Sequence, residues 1–139
     1  ATDTLTDYEK AVLSLCDGKQ IRYLGDLPEK EKIKMMQTNK ALLYITNHPE
    51  VTSHKLQECL LCGMSAIISD IGAAHEILTD KVNGYLCRTE QEFLDAIKNL
   101  DKLEPDKVYP DMQHRFSIQT VVREYIVLYE EVANGLRWR

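Results

Sequence analysis

Glu50 and Glu58 stand eight residues apart around the polar run Thr52-Ser53-His54, and the small-residue turn Gly72-Ala73-Ala74 follows after an apolar stretch. Carboxylates of this kind accept hydrogen bonds from sugar hydroxyls, as acidic residues do for ribose in doubly wound nucleotide sites. Successive backbone N–H groups at a helix start attract anions, and small side chains let phosphate oxygens come close. The pair and the turn could therefore grip both ends of a nucleotide-sugar, with the diphosphate bridging them. If both glutamates shared one helix they would lie about 12 Å apart along its axis and point in different directions. Pro49, the polar Thr52-Ser53 and the later start of the apolar stripe instead put Glu50 in a loop and Glu58 two turns into a helix. Glu76, in the first turn after Gly72, reads as a residue that complements its own helix.

These residues need a scaffold, and the apolar pattern supplies one. Leu5, Tyr8, Ala11, Val12 and Leu15 recur at helical spacing until Asp17-Gly18. Ile21 to Leu24 reads as a short strand, and Pro28 opens a helix through Met36. Ala41 to Thr46 is a continuous apolar run, the mark of a strand covered on both faces. A helix from Ser53 to Cys62 ends at Gly63, Ser65 to Asp70 is a buried strand, and Gly72 to Leu78 a short helix. Asn83-Gly84 turns into the strand Tyr85 to Cys87, before a helix from Glu90 to Leu100 with Phe93, Leu94, Ile97 and Leu100 inward. The two prolines between Glu104 and Asp111 predict a loop. Ser117 caps a final helix to about residue 134, with Ile118, Val121, Val122, Tyr125, Leu128, Tyr129 and Val132 in one stripe.

Strands alternating with helices predict an α/β domain with a Rossmann-like parallel sheet and helices on both faces. In such sheets ligands bind beyond the carboxyl ends of the strands, which is where both parts of the candidate site fall. The 139 residues, 44% hydrophobic and 28% charged, suit one domain over 1–139. A net charge of -5 and lysines scattered among glutamates, as in Glu29-Lys30-Glu31-Lys32, argue against nucleic acid. The four cysteines Cys16, Cys59, Cys62 and Cys87 suggest no disulfide framework and a reducing compartment. Cys59-Leu-Leu-Cys62 has redox or zinc spacing but no second ligand pair, so its thiols read as small apolar helix residues. The longest apolar run is far too short to span a membrane.

The chain resembles the donor-binding half of retaining glycosyltransferases of the GT-B fold, in the large family 4 group that includes lipopolysaccharide and capsule sugar transferases. The likeness is carried by Ile21-Arg-Tyr-Leu-Gly25-Asp-Leu27, Glu50-x7-Glu58, Cys62-Gly63, Asp70-x-Gly72-Ala-x-x-Glu76, Asn83-Gly84-Tyr-Leu, Arg115-Phe116-Ser117 and Leu128-Tyr129 in that order. It implies the C-terminal half of such a fold, cytoplasmic or peripheral at the membrane, passing sugar from a UDP-, GDP- or similar nucleotide-sugar to an acceptor without a metal. It also implies roles. Glu50 would be catalytic and face the donor sugar, and Glu58 would hold the ribose. Backbone amides from Thr52 through Ser53, His54 and Lys55 to Leu56, and from Gly72 through Ala73 to Ala74, would surround sugar and phosphates. Gly25, Asp26 and Leu27 would lie near the base.

The sequence departs from the family where an aromatic residue and a glycine usually stand, with Thr52 and Ser53 there, His54 beside them and Ala73 in place of a second glycine. The family's basic loop and acceptor-binding domain would precede the region matched by this chain. The expectation is that the isolated polypeptide does not catalyse transfer, and that the first and last helices, with Tyr125, Tyr129 and Trp138, expose apolar surface through which it can self-associate. The rival reading is a non-catalytic Rossmann-like interaction module derived from a glycosyltransferase. A receiver using Asp70 as phosphoacceptor lacks the acidic pair and lysine it needs, and no Gly-x-Gly-x-x-Gly follows any strand.

Overall fold

The computed structural model describes residues 5–49 and 53–137, and the chain divides into two compact units, Ala1–Lys32 and Ile33–Arg139. The first unit carries helix α1 (Asp7–Ser14), started by a capping box in which Thr6 and Glu9 bond each other's backbone amides. The expected strand at Ile21 to Leu24 is absent. The Asp17 carboxylate instead accepts the N–H groups of Lys19, Gln20 and Ile21 at 2.8, 2.7 and 2.9 Å. The Ile21 carbonyl accepts the Gly18 N–H at 3.0 Å. With both of its backbone groups committed to this turn, Ile21 has nothing left to offer a ladder. Helix α2 (Glu29–Thr38) follows Pro28, whose carbonyl receives the Glu31 and Lys32 amides.

In the second unit three parallel strands, β1 (Ala41–Tyr44), β2 (Ser65–Ser69) and β3 (Gly84–Cys87), form a sheet in the order β1-β2-β3. The register sets Leu42 beside Ala66 and Tyr44 beside Ile68, and Ala66 beside Gly84. Between the strands run α3 (His54–Leu61) and α4 (Ala74–Ile77), followed after β3 by α5 (Glu90–Lys98), α6 (Pro105–Phe116) and α7 (Ile118–Ala133). One sheet face packs Ala66 and Ile68 against Leu56 and Leu60 of α3 and Val108 and Met112 of α6. The other packs Ile67 and Cys87 against Phe93 and Ala96 of α5 and Leu100 just beyond it. This is a small Rossmann-like α/β sheet flanked by helices. Central β2 is buried along its length, which is why its sequence is apolar on both faces.

Three local expectations change. Edge strand β1 is covered on one face only: Leu42 and Tyr44 pack inward, while Leu43 is 51% exposed. Helix α5 turns Phe93 and Ala96 to the sheet, with Leu100 just beyond it, and leaves Leu94 and Ile97 exposed, because two stripes had helical spacing and the sheet face selects one. As expected of the last helix, most of the α7 stripe is exposed, including Ile118, Val122, Tyr125, Tyr129 and Val132, while Trp138 lies outside the described residues. The expected loop from Glu104 to Asp111 is helical. Pro105 occupies the first turn, where no N–H is needed, and Pro110 is exposed, while Val108 and Met112 are fully buried one turn apart. Their burial outweighs the hydrogen bond lost at Pro110.

Cys59 is buried with Met36 and Met64, and Cys62 packs against that cluster. No helix among the described residues is long and apolar enough to cross a membrane.

Candidate functional site

Ser53 is the N-cap residue of α3, with extended backbone but no capping hydrogen bond from its side chain. Its hydroxyl is buried and has no hydrogen-bond partner among the described residues. His54 and Lys55 are exposed in the first turn, Leu56 points into the core, and Glu58 is exposed on the second turn. The Lys55 ammonium lies 5.7 Å from the centre of the Tyr44 ring, within cation–π range. The segment that places Leu56, Cys59 and Leu60 inward thereby sends Glu58 outward. Glu50 and Thr52 lie outside the described residues.

The turn after β2 is built as its residues demand. Gly72 has φ +59°, a left-handed conformation that glycine adopts at little cost. Ala73 has φ -86°, so a side chain is tolerated where relatives of the resembled family carry a second glycine. The Ala74 N–H bonds the Ile71 carbonyl at 3.3 Å and the Glu76 N–H the Ala73 carbonyl at 3.0 Å. Among the described residues no hydrogen bond engages the Gly72 or Ala73 N–H. Glu76 is exposed in the first turn of α4.

These two segments meet. Ser53 and Leu56 from α3, and Ala73, Ala74 and Ile77 from α4 and its turn, line one pocket with Thr46, His48, Ser69 and Ile71 beyond the strand ends. Its enclosed space is about 20 Å³, room for a water rather than a sugar ring. Polar loop contacts stiffen its floor: the Thr46 N–H donates to Ser69 Oγ at 3.0 Å and the His48 N–H to Thr46 Oγ1 at 3.1 Å. Gly25, with φ +62°, exposed Asp26 and half-buried Leu27 belong to the first unit.

A wider depression of about 530 Å³ lies on the α5 side of the same strand ends, lined by Ile45, Asp70, Cys87, Arg88 and Phe93 among others. There Arg88 donates from Nε to Asp70 Oδ2 at 2.7 Å, and its other nitrogen lies 2.6 Å from the same oxygen. Asp70 is thus an ion-pair member. Sequence reasoning missed Arg88, whose only signal was its place just past β3. Burial pushes the Cys87 thiol up, and Glu92 and Asp80 add to the rise, so this cysteine stays protonated and unreactive near neutrality. No cluster of three or more metal-ligating side chains occurs among the described residues.

A parallel sheet with a pocket past the carboxyl ends of its strands, between a helix start and a glycine turn, is a Rossmann-like arrangement. The sequence profile of the glycosyl transferases group 1 matches residues 3–120, and the chain belongs to that family. It is similar to a probable sucrose-phosphate synthase of Thermosipho melanesiensis, with 25% identity over 133 residues. The similarity covers 91% of this chain and 31% of that relative, so the chain spans about a third of the relative's length.

Proposed function

We propose that this domain binds the donor of a retaining, metal-independent sugar transfer, a UDP-, GDP- or similar nucleotide-sugar, at the rim between α3 and the Gly72–Ala74 turn. The observation that carries the reading is the convergence of those two segments on one pocket past the strand ends, in a chain of a glycosyltransferase family. The Gly72 and Ala73 amides would face the diphosphate and stabilise it as a leaving group. Glu58 would accept the ribose hydroxyls, and Glu50 would face the sugar as the catalytic-site carboxylate. Transfer to an acceptor belongs to the whole protein, and this chain alone is expected to bind the donor without turning it over.

Titration with UDP, GDP and their sugars, with Glu58→Ala beside the native chain, tests the reading. Binding weakened about tenfold or more by loss of the ribose contact is the expected result. No binding at millimolar nucleotide, or binding indifferent to Glu58, would favour the interaction module, a reading to which the narrow enclosed space lends weight. Sugar transfer or donor hydrolysis by this chain alone would refute the expected inactivity.

A further inference from the structure

We infer that Arg115 is a positioning residue for the Gly72–Ala73 turn, an inference that rests on the donor reading above. Helix α4 has four residues, a single turn that cannot hold itself in place. Its orientation therefore depends on what grips its ends. The Arg115 guanidinium, reaching over from α6, donates to the Ile77 carbonyl at 3.0 Å and also to the Glu76 carbonyl. Those are the carbonyls with which α4 ends, and two donors in a planar fork fix both the place and the rotation of that end.

The guanidinium is itself held. It lies 5.0 Å from the Phe116 ring centre and 3.4 Å from Asp111 Oδ2. The same Asp111 oxygen accepts from Nδ2 of Asn83 at 3.3 Å. Asn83 is fully buried, and its Oδ1 receives the Thr79 N–H at 2.8 Å. Helix α4 and the segment leaving it are thus tied to one face of α6. Because α4 is a single turn, a rotation at its end passes directly to its start, where Gly72 and Ala73 present their amides. Arg115 would act through the α4 carbonyls it binds rather than on the donor itself. It sets the direction of groups that face the donor, the kind of support on which a preorganised site depends.

The test compares the native chain, Arg115→Lys and the control Tyr85→Phe. The control loses only a hydroxyl bonded to the Asn99 carbonyl on the opposite sheet face. Affinities for UDP and GDP and for uridine and guanosine are measured by titration calorimetry and ligand-observed NMR. Amide shifts of Gly72 and Ala73 are followed through each titration. Lysine keeps the charge but not the fork, so the diphosphate that the native chain prefers should bind about tenfold more weakly. The matching nucleoside should change less than twofold, and the diphosphate-induced shifts of the two amides should shrink. Tyr85→Phe should alter neither affinity. If Arg115→Lys does not fold, Asp111→Asn, which loosens the guanidinium, should give the same split with smaller size. Equal loss for diphosphate and nucleoside, or no loss, would overturn the inference while leaving the donor reading intact. Failure of the native chain to bind either diphosphate would remove both.

Discussion

Two single residues show how differently a position can be constrained. A Cβ at Gly84 would lie 2.1 Å from the Ala66 carbonyl oxygen and 2.6 Å from Leu78 Cδ1. Its φ is not left-handed, so the constraint is the approach of β2 to β3. Gly84→Ala should cost more than about 3 kcal/mol in a denaturant melt, because the backbone of a central strand cannot yield. A variant as stable as the native chain would refute this close approach. Asp17 is constrained through charge. The N–H groups of Ile21 and Lys19 hold its carboxyl below the usual carboxylate range. A folded-state pKa below the unfolded one contributes stability above the ordinary carboxylate range, and that contribution is lost as pH falls through the lowered folded value. Amide shifts of Lys19, Gln20 and Ile21 followed through acid should report a midpoint below that of an unfolded peptide. Coincident midpoints would show that the turn does not select the ionised form.

At the scale of elements, α3, β2, α4 and β3 were legible because each adjoins a glycine stop or turn, Gly63, Gly72 or Asn83-Gly84, and α5 through the spacing of Phe93, Leu94, Ile97 and Leu100. Helix α6 was not. Its prolines read as breakers, and only packing shows that Val108 and Met112 share a buried face. The two readings separate under Pro110→Ala. In a helix interior the substitution restores an N–H and should stabilise by about 1–3 kcal/mol. In a loop it would destabilise slightly, because alanine gives the unfolded chain more conformational entropy to lose on folding. Thermal melting decides the sign. The strand expected at Ile21 to Leu24 failed for a related reason, since the competing hydrogen bonds of Asp17 are set by side-chain geometry rather than by apolar pattern.

At the scale of the whole molecule, α7 presents Val122, Tyr125, Ile126, Tyr129 and Val132 to solvent, with the Tyr125 and Tyr129 rings 5.9 Å apart. Sedimentation across a concentration series should show association of the isolated chain, and Ile126→Asp should reduce it. A clean monomer at high concentration would refute this expectation.

The sequence by itself determined the class of fold, the order of most elements and the two segments of the candidate site, because periodicity, caps and glycine turns are local properties of the chain. Tertiary structure decided which helical stripe of α5 faces the sheet, that a proline-bearing segment is a helix, and that α3 and the Gly72 turn share one pocket. It also joined Arg115 to carbonyls 38 and 39 residues away. Those outcomes depend on burial and on hydrogen bonds between distant residues, and their energies exist only once the sheet has brought the partners together.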